Sequence, residues 1–138
     1  MEPVGKHLIL ELWECDVKSL NSITFVRDLI TTAARKVAAT VLDVVCHRFT
    51  PTGVTGVVVL AESHISIHTW PERAYAAIDI FTCGNTINPQ DAASYLVERL
   101  CAKNSSMLLI ERGRKARVTQ QTKVRCLPSL VDNEVSPR

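Results

Sequence analysis

Residues 7–14, His7-Leu8-Ile9-Leu10-Glu11-Leu12-Trp13-Glu14, are apolar with partial alternation and predict a first strand. Asp16 to Ser22 is polar and turn-like. The period then becomes helical. Val26, Leu29, Ile30, Ala33, Ala34 and Val37 fall on one stripe, with Arg27, Asp28, Thr31, Arg35 and Lys36 off it, which predicts a helix over about 22–38. Residues 40–49 are rich in β-branched side chains and read as a second strand. Thr50-Pro51-Thr52-Gly53 reads as a turn. Residues 54–61 form a third strand, apolar on both parities and so expected to be central, with both faces covered.

In the next stretch Ile65 and Ile67 alternate with His64, Ser66 and His68, which places the imidazoles on one strand face and the isoleucines on the other. Residues 75–82 predict another strand, with Asp79 and Cys83 on a shared face. Asn88-Pro89-Gln90-Asp91 is a helix start, with Asn as cap and Pro in the first turn. Ala92, Ala93, Leu96, Val97 and Leu100 supply that helix's apolar stripe, and residues 107–110 a last strand. After Arg112-Gly113 the pattern dissolves, and residues 114–138 are expected to be a mobile extension. Strands joined by short turns pair antiparallel. The predicted fold is therefore α+β: a two-layer sandwich with two helices on one face of a mostly antiparallel sheet. The other face has no helix to cover it and is expected to pack against a second copy in a dimer.

Composition narrows the class. The chain has 138 residues, enough for one domain, read as 1–113. No apolar run approaches the ~18–20 residues of a membrane span, and the N-terminus lacks a signal-peptide plan, so a cytoplasmic protein is expected. The five cysteines are an odd number without CxxC spacing, which fits a reducing compartment. Residues 1–111 carry nine basic and twelve acidic side chains, and 112–138 carry seven and two, so the positive charge belongs to the C-terminal segment. That segment has no aromatics to stack on bases, so no nucleic-acid partner is expected.

The densest chemistry is at 61–72, where three hydroxyls, two imidazoles, two carboxylates and an indole follow an apolar strand. Taken alone, these residues allow a strand with satisfied polar groups. They also allow a metal site on His64 and His68 with Cys83 or Asp79. A third reading is a nucleophile, Ser63 or Cys83, with His68 as base.

Four blocks carry a resemblance: Ala61-Glu62-Ser63-His64 with Ile67-His68-Thr69-Trp70-Pro71-Glu72; Tyr75-Ala76-Ala77-Ile78-Asp79 with Phe81-Thr82-Cys83-Gly84; Gly53-Val54-Thr55-Gly56-Val57; and His47-Arg48-Phe49. In this order they resemble the short, prokaryotic S-adenosylmethionine decarboxylases, pyruvoyl-dependent enzymes of polyamine (spermidine) synthesis. The resemblance implies self-processing. The Ser63 hydroxyl attacks the Glu62 carbonyl, the amide becomes an ester, and β-elimination yields chains 1–62 and 63–138. The dehydroalanine left at position 63 is hydrolysed, losing its nitrogen as ammonia, to the pyruvoyl group that takes the substrate amine as a Schiff base, with neither pyridoxal phosphate nor metal. The resemblance assigns His68 as proton acceptor in processing and Cys83 as proton donor in catalysis. It also assigns Thr55, where the family has serine, as processing support, and Phe49 and Glu72 as the groups holding adenine and ribose. It implies a homodimer with sites near the subunit interface. Ala74 stands where the family has glycine. One alternative is a pyruvoyl-dependent arginine or ornithine decarboxylase on the same fold. The alternative outside enzymes is a binding module using the basic extension.

Overall fold

The computed structural model describes residues 2–115 and the backbone of 124–127. Its strands are β1 (Gly5–Trp13), β2 (Val41–Arg48), β3 (Val54–Leu60), β4 (Ser63–Trp70), β5 (Tyr75–Cys83), β6 (Asn104–Arg112) and β7 (Val124–Leu127). They form one sheet in the order β2-β3-β4-β5-β1-β6-β7, antiparallel at every pairing. Three helices, α1 (Val17–Leu20), α2 (Ile23–Lys36) and α3 (Pro89–Arg99), complete the fold with a 3-10 turn at Pro71–Arg73.

Local chemistry explains the helices. Ser22 caps α2 by accepting from the Phe25 N–H at 3.2 Å, and Arg35 and Lys36 sit in its last turn, where the helix dipole favours cations. Asn88 caps α3 through the Gln90 N–H, with Pro89 in the first turn. The two apolar stripes are buried against one face of the sheet. That face supplies Leu8, Leu10, Leu12, Val58, Ile65, Ile67, Ile78 and Ile80, each essentially excluded from solvent. The alternation expected in β4 is present: the isoleucines enter this core and the imidazoles lie on the opposite face.

The opposite, helix-free face can be read row by row from the strand register. One row runs Trp70–Tyr75–Trp13, and the next Thr55–His68–Ala77–Glu11. Then follow Val57–Ser66–Asp79–Ile9 and Val59–His64–Phe81–His7, with Cys83–Gly5–Arg112 last. Successive rows are about 6.6 Å apart, twice the strand rise. Trp13, Val45, Val59 and Trp70 are exposed on this side, between 39% and 57%.

Three differences from the sequence reading have physical causes. β3 lies beside the edge strand β2, and within one chain its second face is uncovered, so Val59 is exposed where burial on both faces was expected. Asp16 organises the polar stretch 16–22 into a helical turn, accepting from both the backbone N–H and the hydroxyl of Ser19. Part of the segment read as an extension is strand β7, paired with β6 from Met107↔Leu127 to Ile110↔Val124. Its tetrapeptide is too short to show a period. The remainder of that reading, residues 116–123 and 128–138, lies outside the described residues.

Candidate active site

β3 and β4 are joined through Ala61 and Glu62 alone, with Leu60 facing Ser63 across the hairpin. Glu62 takes φ 63°, a left-handed conformation that suits glycine. Holding a side-chain residue there costs about 1–2 kcal/mol. The strain therefore sits on the residue whose carbonyl precedes Ser63. Cys83, at the end of the neighbouring β5, donates its thiol hydrogen to that Glu62 carbonyl oxygen at 2.6 Å. Ser63 Oγ lies 3.4 Å from the carbonyl oxygen of Ala61. A hydroxyl nucleophile, a residue held in the left-handed region and a donor on its carbonyl thus meet at one corner of the sheet.

A second group forms at the other end of β4, on the helix-free face. Thr55 Oγ1 and His68 Nδ1, opposite each other on β3 and β4, are hydrogen-bonded at 2.9 Å. They open onto a cavity of about 380 Å³ lined also by Phe49, Thr52, Thr69, Trp70 and Glu72. Thr52 donates to Glu72 Oε2 at 3.1 Å, and the half-exposed Phe49 ring meets the edge of His47 at 4.7 Å. Buried Thr69 fastens the floor of this cavity, accepting from the Val54 N–H and donating to the Leu20 carbonyl, both at 2.8 Å. Ala74, ending the 3-10 turn that carries Glu72, has φ 50°, which accounts for glycine being the ordinary occupant there.

The sequence-derived site residues thus fall into two halves. Glu62, Ser63 and Cys83 are together, and Phe49, Thr55, His68 and Glu72 are together. The two halves do not meet within one chain. His68 is five residues from Ser63 along an extended strand, about 16 Å, and on the opposite parity. The chain's own His68 therefore cannot act as base on its own Ser63. Nor do the candidate metal ligands converge: among the described residues no three His, Cys, Asp or Glu side chains gather as a metal site.

Sequence reasoning missed a third feature of this face. His7 Nε2 and Asp79 Oδ1 are 3.0 Å apart, and Arg112 Nη1 donates to His7 Nδ1 at 3.0 Å. Since Nδ1 accepts, Nε2 carries the proton and donates to Asp79. The Arg112 guanidinium also lies over the Phe81 ring, 5.5 Å from its centroid. No local motif announces this group, because its members are brought together only by β1 lying between β5 and β6.

The class is thus an antiparallel α+β sandwich with a serine and a thiol gathered at a left-handed hairpin turn. Residues 6–113 match the S-adenosylmethionine decarboxylase family, and the chain belongs to it. The chain is 53% identical over 109 residues to the S-adenosylmethionine decarboxylase proenzyme of Prochlorococcus marinus (strain MIT 9313), covering 79% of this chain and 87% of that one. It is 50% identical over 117 residues to the proenzyme of Synechococcus sp. (strain WH7803), covering 85% and 91%. Among solved structures, the adenosylmethionine decarboxylase from Aquifex aeolicus VF5 superposes with a TM-score of 0.79 at 32% identity, over 88% of this chain and all of that one. The Trypanosoma brucei enzyme shares the fold at 16% identity and a TM-score of 0.59, with 45% of its chain covered. The family's enzymes are pyruvoyl-dependent decarboxylases synthesised as proenzymes, and the short prokaryotic type expected from the sequence is the type found.

Proposed function

We propose that this chain cleaves itself between Glu62 and Ser63 and then decarboxylates S-adenosylmethionine, supplying the aminopropyl donor for polyamine synthesis. The observation that carries the reading is the Cys83 thiol held on the Glu62 carbonyl, at a turn strained on the same residue. As Ser63 Oγ attacks the carbonyl carbon, negative charge grows on the oxygen to which the thiol already donates, and that donor stabilises it. Left-handed strain at Glu62 raises the starting state and is relieved when the bond opens.

Elimination then needs a base for the Ser63 α-proton. The Thr55–His68 pair of a second copy supplies it in this reading. The uncovered sheet face, with its exposed Trp13, Val45, Val59 and Trp70, is where that copy would dock. A two-fold, antiparallel arrangement of the two faces lays each His68 end over the other chain's Ser63 corner, completing two identical sites in a homodimer. The same arrangement brings the cavity with Phe49 and Glu72 to the Ser63 corner. There the ring holds adenine by stacking, and the carboxylate accepts from the ribose hydroxyls. A pyruvoyl group at position 63 supplies an electron sink for loss of carbon dioxide. The residues fit it: Ser63 begins a strand at the turn end of the hairpin, and Cys83 is beside it to return a proton to the substrate's α-carbon. The Phe49–Glu72 cavity favours a nucleoside substrate over free arginine or ornithine. Among the described residues no helix is long and apolar enough to cross a membrane.

Intact mass spectrometry of purified protein tests the first step. Two chains, 1–62 and 63–138, with a ketone at position 63, are expected, and Ser63→Ala should remain one chain. An intact wild-type chain that is nonetheless active would refute the mechanism. Carbon dioxide release from S-adenosylmethionine, arginine and ornithine, assayed side by side, decides the substrate.

A further inference from the structure

Building on that function, we infer that Arg112 is the receptor for the substrate's α-carboxylate, and that His7 and Asp79 position it. In the register of the sheet, Cys83, Gly5 and Arg112 occupy one row, so the Cα atoms of Cys83 and Arg112 are two strand spacings, about 10 Å, apart. The residue between them has no side chain. A Cβ on Gly5 would lie 2.9 Å from Phe81 Cε2 and 2.4 Å from the Thr82 carbonyl oxygen. Gly5 therefore lets the Phe81 ring lie over the backbone between the thiol and the guanidinium. Arg112 rests on that ring. An arginine side chain folded over that ring crosses β1 to β5, the strand that ends in Cys83.

The guanidinium is held but not neutralised by an ion pair. Its recorded partners among the described residues are a neutral imidazole nitrogen and an aromatic face. The nearby carboxylates are engaged elsewhere: Asp79 with His7, and Glu111 with Arg114 at 3.1 Å. With one N–H given to His7, the planar fork keeps donors for a bidentate anion. The ligand that must present an anion here is the amino acid end of the substrate. Its amine has to reach position 63 and its α-carbon has to reach Cys83, so its carboxylate is carried along the row toward Arg112. Holding that group fixes the orientation of the bond to be broken, and the Phe81 ring keeps water from the same side. Asp79 and His7 do not touch the substrate in this arrangement. They fix the imidazole tautomer whose Nδ1 accepts from Arg112.

The test uses the processed protein and two ligands that lack the α-amine and cannot turn over: the deamino analogue of S-adenosylmethionine, which keeps the carboxylate, and its carboxamide. Calorimetric Kd values should favour the carboxylate in the wild type by roughly ten- to a hundredfold, the range for charge-assisted hydrogen bonds. Arg112→Ala should abolish that preference, losing far more affinity for the carboxylate than for the carboxamide. Arg112→Lys should restore part of it, and His7→Gln or Asp79→Asn should reduce it. A full carboxylate preference in Arg112→Ala, or equal loss of affinity for both ligands, overturns the inference. Wild-type protein that cleaves but releases no carbon dioxide from S-adenosylmethionine overturns instead the function on which it rests.

Discussion

The left-handed turn at Glu62 makes a quantitative statement about self-cleavage. Replacing Glu62 by glycine removes about 1–2 kcal/mol of backbone strain. Glycine also gives the unfolded chain more freedom, costing back roughly 0.5–1 kcal/mol. Glu62 is exposed and makes no recorded side-chain hydrogen bond among the described residues, so nothing else of comparable size is lost. On a Ser63→Ala background, where the chain stays whole, the glycine variant should be more stable by about 0.5–1 kcal/mol. For a domain of this size that is a rise in Tm of roughly 2–5 °C. With Ser63 present, cleavage should slow by about 5- to 30-fold, because strain released on attack no longer lowers the barrier. Densitometry of full-length chain against fragments 1–62 and 63–138, over a time course after refolding, measures the rate. A stability gain with unchanged cleavage would show that the strain is real but not coupled to the reaction. A loss of stability would show that there was none to release.

Other expectations follow from single contacts. Cys83→Ala should slow self-cleavage about tenfold by removing the donor from the Glu62 carbonyl, and Cys83→Ser should recover most of it; equal rates for the two on a denaturing gel would sink the contact's role. Thr55→Val should reduce the cleavage rate about fivefold, the worth of one hydrogen bond to His68, with Thr55→Ser close to wild type. Burial, followed by the hydrogen bond to Glu11, pushes Tyr75 up to about 12 from its ordinary value near 10. Being raised, it favours the neutral phenol in the fold: its stabilisation is complete below pH 10 and is lost as pH rises toward 12. Absorbance at 295 nm should therefore show a late-titrating tyrosine that disappears in Tyr75→Phe, and a single ordinary transition would contradict the contact. Gly56→Ala places a Cβ 2.8 Å from Ile30 Cδ1 and 3.2 Å from Cys46 Sγ, so its Tm should fall by the few degrees that overpacking of about 1–3 kcal/mol implies.

The two helices and the core strands were legible because their signals are periodic and local. The stripe from Val26 to Val37 and the alternation at His64–His68 each report a face without reference to the rest of the chain. The cleavage corner was legible only through its motif. Nothing in the spacing of Glu62 and Cys83 says that one thiol reaches one carbonyl, because that contact depends on β4 pairing with β5. The split between Ser63 and His68 was in principle available from the strand rise, yet proximity in sequence concealed it: five residues are near in a helix and far apart in a strand. Arg112 and His7 were illegible for the opposite reason, being 105 residues apart and adjacent only through the register of β1 with β6. β7 escaped because four residues carry too little pattern to distinguish a strand from the polar chain around it.

The strand order has a further consequence for the proposed cut between Glu62 and Ser63. β1 belongs to the piece ending at Glu62, yet it lies between β5 and β6, which belong to the piece beginning at Ser63, and β3 remains zipped to β4. The two fragments are interleaved. Neither can leave without stripping a strand ladder from both sides of β1, so the mature protein persists as one body although its backbone is broken. The intact precursor folds as a unimolecular process. After cleavage, reassembly of the same structure requires two chains to find each other, and the local concentration that the hairpin provided is gone. The precursor's folding is therefore spent in a single use: cleavage converts a self-contained folding reaction into a bimolecular one, and denatured mature enzyme should regain structure only in proportion to the concentration of its parts.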